Sequence, residues 1–145
     1  MKRILTSLCA SLCCIYAMAQ GWPSSYGGVM LQGFYWDSFD DSQWTVLEKK
    51  ADDLSGYFDL VWVPQSGKAA ATKSMGYDPL YYFNQNSSFG TESELRSMIT
   101  TFKNKQIGTI ADVVINHHGT NNGWFGFPTE VYKGVTYQNL STDVC

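Results

Sequence analysis

A chain of 145 residues, 44% hydrophobic and only 16% charged, is long enough to bury the core of one small domain. Its formal charge of −3 argues against a nucleic-acid partner, which is held mainly through cationic contacts to phosphate. Five Trp and nine Tyr are unusual for a helical bundle and suit either an aromatic core or flat apolar ligand faces.

The first twenty residues stand apart. Lys2 and Arg3 lead into an apolar run from Ile4 to Tyr16, and Ala17-Met18-Ala19 precedes Gln20. This pattern predicts a secretory signal peptide over residues 1–19, cut after Ala19, and a secreted or periplasmic product. The run falls short of the roughly 20 apolar residues of a membrane span, and no later segment approaches that length. A lipid anchor at Cys13 or Cys14 is the competing reading, but Leu12 and Cys13 are poor residues to precede a lipidated cysteine. Cys9, Cys13 and Cys14 all lie in the leader, so only Cys145 remains after processing and no internal disulfide is expected. Of the 10 basic residues, loss of Lys2 and Arg3 leaves 8 against 13 acidic ones, a formal charge of −5.

Beyond a Gly/Pro/Ser lead, the apolar run Val29 to Phe34 predicts a first strand. Trp44, Leu47, Ala51 and Leu54 share one face of a helix, which Ser42 is placed to cap and Gly56 to end. Leu60-Val61-Trp62-Val63, stopped by Pro64, reads as a second strand, apolar on both faces as in a buried parallel sheet. A connection from Gln65 to Gly90 follows, far above the usual two to six or so residues, and loops of such length tend to be functional. Thr91-Glu92-Ser93-Glu94 is a capping box opening a helix with Leu95, Met98, Ile99 and Phe102 as its buried stripe. Thr109 to Ile115 is the third strand. The β-α-β-α-β order implies an α/β fold with a parallel sheet. No phosphate-binding glycine loop follows any strand, and from Asn116 onward the helix signal is lost.

In parallel β/α folds ligands lie beyond the carboxyl ends of the strands. There the chain carries Tyr35-Trp36-Asp37, Met75-Gly76-Tyr77-Asp78-Pro79 and Asn116-His117-His118-Gly119. Their convergence points to a polar ligand with flat apolar faces, such as a sugar. Asp112, placed inside the third strand, needs a partner because an unpaired buried carboxylate is costly; a hydrogen-bonded supporting acid is favoured over direct catalysis. Asn116 offers an oxygen of the kind Ca²⁺ accepts, or is a turn former. Tyr77 and Trp36 are sugar-stacking or packing aromatics.

The motifs Leu31-Gln32-Gly33-Phe34-Tyr35-Trp36-Asp37, Val61-Trp62-Val63-Pro64, Met75-Gly76-Tyr77-Asp78-Pro79-Leu80-Tyr81 and Ile110-Ala111-Asp112-Val113-Val114-Ile115-Asn116-His117 resemble, in order and spacing, those of the α-amylase family of glycoside hydrolases, plant-type members above all. The resemblance implies the first β/α units of a (β/α)8 barrel over residues 20–115, with residues 116–145 starting an inserted calcium-binding subdomain. It implies retaining endo-hydrolysis of α-1,4 bonds in starch-like α-glucans by a protein that is a monomer at full length. It also implies that Tyr77 stacks on a sugar, that His117 hydrogen-bonds it, that Asn116 binds a structural Ca²⁺ and that Asp112 supports the site. His118 stands where plant-type members often have Arg, so no role carries over to it. A whole barrel takes about 250 residues, and the family's nucleophile and acid/base lie on later strands. Asp37, Asp78 and Asp112 match none of those positions, so the piece is expected to be inactive alone. A non-catalytic glucan-binding protein of the same fold and an open α/β binding domain unrelated to sugars are the alternatives.

Overall fold

In a computed structural model of the chain, residues 25–143 are described; the expected leader and Cys145 lie outside them. The three apolar runs form a parallel sheet in the order β1-β2-β3, with β1 Met30–Gln32, β2 Leu60–Val63 and β3 Gly108–Ala111. Met30 pairs with Leu60, and Leu60 in turn with Gly108. The outer strands are shorter than their apolar runs. Pro64 has no N–H to donate, and the β2–β3 ladder stops at the Val63–Ala111 pair beside it. Asp112 therefore lies just past the end of β3 rather than within it, and Val113 and Ile115 are exposed.

The first helical region is two short helices, α1 (Trp44–Lys49) and α2 (Ala51–Ser55). At Lys50 an N–H bond to the Leu47 carbonyl tightens the turn between them, yet the apolar face runs through the break: Trp44, Leu47 and Ala51 are buried and Leu54 packs on the core. Ser42 does not cap the helix; its buried hydroxyl donates to Ser38 Oγ at 3.0 Å. The Trp44 N–H, an orphan donor of the first turn, instead meets the Phe89 carbonyl at 2.8 Å. Gly56 follows α2 with a right-handed φ of −82°, so its left-handed freedom is not used.

α3 (Glu92–Asn104) opens with the anticipated box: Thr91 Oγ1 accepts from Glu94 N, and Glu94 accepts from the Thr91 N–H at 2.7 Å. That backbone bond is the main reason the Glu94 carboxyl titrates below its usual range. Leu95, Met98 and Phe102 are buried, but Ile99 is 40% exposed and falls outside the stripe. The helices cover one face of the sheet, where Val61 and Val63 are buried; on the other face Trp62 is half-buried and meets Phe34 edge-on at 5.2 Å.

After β3 the β/α rhythm ends, as anticipated, but the segment contains an antiparallel hairpin of β4 (Glu130–Tyr132) and β5 (Val135–Tyr137), then a 3₁₀ turn at Ser141–Asp143. Lys133 and Gly134 take φ of 51° and 79° at its turn. Positive φ at both central residues gives the twist that two-residue hairpins favour.

Candidate functional site

Strand ends and the long loop meet at Asp112. Its Oδ2 accepts a hydrogen bond from the Tyr77 hydroxyl at 2.9 Å, across 35 residues of chain. The partner that an acid at this position requires is therefore a loop tyrosine. Burial first, and then the Asp112 carboxylate, push the Tyr77 pKa up to about 12. The phenol consequently stays protonated, and remains a donor, at any ordinary working pH. Trp36, just beyond β1, lies parallel to the Tyr77 ring, 6.2 Å between centroids and 3° between planes, and is 70% exposed.

His117 closes the group from the other side, with Nε2 at 2.6 Å from the Tyr77 carbonyl oxygen. A carbonyl only accepts, so Nε2 carries the proton, and the neutral ring has Nδ1 as its acceptor. Of the other acids at the strand ends, Asp78 accepts from the Ser74 hydroxyl. Asp37 is exposed with a φ of 65°.

A cavity of about 930 Å³ opens beside this group. Asp112, Asn116 and His117 line it, whereas Trp36 and Tyr77 do not. Asn139 and Asp143 add oxygen donors to its walls. Among the described residues no three His, Cys, Asp or Glu side chains come together as metal ligands. Asn116 has the hard oxygen that Ca²⁺ prefers, and Asn139 and Asp143 line the same cavity, but no cluster of acidic side chains completes a shell around it among the described residues. The fit to this metal is partial.

Two further features of the site left little trace in the sequence. Glu130, the first residue of the hairpin, accepts three successive backbone N–H groups of the long loop: Tyr82 at 2.8 Å, Phe83 at 3.1 Å and Asn84 at 2.8 Å. Phe83 stacks on Tyr132 at 4.4 Å and tilts against Tyr137 at 4.7 Å. His118 stacks on Tyr82 at 4.6 Å. Its ring nitrogens have no partner in hydrogen-bonding geometry among the described residues, although the Gly119 backbone lies close, and burial pushes its pKa down. The alternation Glu-Val-Tyr-Lys-Gly-Val-Thr-Tyr with a Lys-Gly turn was the signal that would have found the hairpin; nothing local marks the carboxylate's long-range partners.

A sequence model described as "Alpha amylase, catalytic domain" matches residues 57–138. "Probable alpha-amylase 2" of Arabidopsis thaliana is 32% identical over 110 residues, covering 74% of this chain and 26% of that protein. "Glucan 1,4-alpha-maltohexaosidase" of Bacillus sp. (strain 707) is 35% identical over 103 residues, covering 63% of this chain and 20% of its own length. The chain thus spans about a quarter or less of the length of these relatives. Among solved structures, wild-type alpha-amylase I of Eisenia fetida superposes with a TM-score of 0.55 at 24% identity, over 77% of this chain and 21% of that one. A MutB variant in complex with sucrose gives a TM-score of 0.57 at 28% identity, over 68% of this chain and 18% of that one.

Proposed function

The chain belongs to the α-amylase family, and from that premise we propose that it supplies the substrate-holding strand ends of a glycoside hydrolase acting on starch-like α-1,4-glucans. The observation that supports this most is the linked set Trp36, Tyr77, Asp112 and His117, drawn from the ends of β1 and β3 and from the loop after β2. Tyr77 presents a flat face suited to a pyranose ring, and its hydroxyl, tied to Asp112, holds that face in place. His117, with Nε2 engaged by the Tyr77 carbonyl, meets a sugar hydroxyl through Nδ1, as acceptor.

Cleavage with retention needs two carboxyl groups about 5 to 5.5 Å apart, one as nucleophile and one as acid/base. Asp112 and Asp78 are engaged by Tyr77 and Ser74, so the cutting pair is assigned to other strands of the full-length protein. By this reading the 145 residues bind glucan without cutting it. In the full-length enzyme, Tyr77→Ala and His117→Ala should each lower kcat/KM on soluble starch at least about ten-fold, more than 1.36 kcal/mol of transition-state binding. Full activity in both variants would overturn the assignment.

The same proposal places a structural Ca²⁺ at Asn116, at the foot of an inserted subdomain that begins with residues 116–145. Its remaining ligands are cavity oxygens and groups elsewhere in the protein. Metal that binds only the folded state raises stability by mass action. Added Ca²⁺ should therefore raise the Tm of the parent and leave that of Asn116→Ala nearly unchanged; equal shifts in both would remove Asn116 from the metal site.

A further inference from the structure

The segment after His118 carries an exposed aromatic tip that the substrate group above does not include. Asn121 N donates to Gly126 O at 2.9 Å, closing a short loop over residues 121–126. Gly123 takes a φ of +65°, and a Cβ on Gly126 would lie 1.9 Å from the Asn122 carbonyl oxygen. Gly126 is thus required for this tight turn and Gly123 favours it, and at its apex stand Trp124, 88% exposed, and Phe125, 57% exposed. Trp124 has no ring partner among the described residues, yet it lines the same cavity as Asn116, His117, Asn139 and Asp143.

An indole held out on a turn that Gly126 alone can close is costly to leave in water. Its place on the rim, with amide and carboxylate groups on the walls beside it, matches the faces of a glucan: apolar ring planes edged by hydroxyls. We propose that Trp124 is a second sugar-stacking platform, which holds a glucan chain running through the cavity away from the His117 end and so favours long chains over short ones. This rests on the glucan reading of Tyr77 and His117. A protein segment packed over the indole is the competing occupant, and stability measurements separate the two.

The test uses full-length Trp124→Ala, Trp124→Phe and Tyr77→Ala proteins, titrated with maltose and with a thio-linked maltoheptaose that resists cleavage. Stacked aromatic contacts justify an expected loss of roughly ten-fold in maltoheptaose affinity for Trp124→Ala. Maltose affinity and Tm should stay unchanged, and Trp124→Phe should retain most of the long-chain affinity. Unchanged maltoheptaose affinity in Trp124→Ala, or a lowered Tm with both sugars weakened alike, overturns the platform. If Tyr77→Ala weakens binding while Trp124→Ala does not, only this inference fails; if neither does, the glucan reading fails with it.

Discussion

Glu130→Ala is expected to free the hairpin from the long loop, and amide exchange at Tyr82, Phe83 and Asn84 should show it. In the parent, one carboxylate satisfies all three N–H groups, Oε2 serving Tyr82 and both oxygens reaching Phe83. Hydrogen bonds to a charged acceptor contribute about 1.5 to 3 kcal/mol each when buried. The Glu130 side is only half-buried and water replaces part of what is lost, so a local cost of about 2 to 4 kcal/mol is reasonable. Exchange at the three amides should then accelerate about 30- to 1000-fold. Amides in α3 should keep their rates, because no hydrogen bond joins that helix to Glu130. Glu130→Gln should restore little: a carboxamide has one acceptor oxygen, and its NH₂ would face backbone donors. Unchanged exchange at Tyr82 to Asn84 in Glu130→Ala would show that the Phe83 stack with Tyr132 and Tyr137 holds the hairpin without the carboxylate.

The Glu130 bonds to the long loop are of a kind that local sequence does not show. Short-range rules located what short-range forces decide. Thr91 and Glu94 are three residues apart and satisfy each other's backbone, so the start of α3 follows from four letters. β2 likewise follows from its apolar run and Pro64. Ser42 does not cap α1 because the donor it is placed to satisfy is taken by Phe89, 45 residues downstream of Trp44. Periodicity located the buried face of the first helical region but not the tightened turn at Lys50, since the stripe does not change across it. In the site, the strand-end rule picks out the segments of Tyr77 and His117, while Asp112, expected inside the third strand, is marked only by its need for a partner and lies just past the strand end. It did not give their bonds, which depend on how the loop from Gln65 to Gly90 folds back. Glu130 was legible least of all: its three partners lie 46 to 48 residues away, and they are backbone groups that any sequence has.

The same loop end sets the second large effect. Trp44 is fully buried at the first turn of α1, where its ring tilts against Phe89 at 5.5 Å and its N–H bonds the Phe89 carbonyl. Gly90 wraps the indole so closely that a Cβ there would lie 2.8 Å from Trp44 Cδ1, at a φ of +132° that side chains rarely adopt. One residue thus joins α1, the end of the long loop and the start of α3. Trp44→Ala should cost about 3 to 5 kcal/mol in urea unfolding of the full-length chain, with the transition that includes this region shifted to lower urea. The indole Nε1 has no hydrogen-bond partner among the described residues, so there the polar end of the ring contributes nothing to offset its burial. Trp44→Phe therefore loses only packing area while removing an unsatisfied donor, and should cost about 1 to 2 kcal/mol. A Phe variant as unstable as the Ala variant would mean that the indole's shape, or a partner for its N–H outside the described residues, holds this junction together.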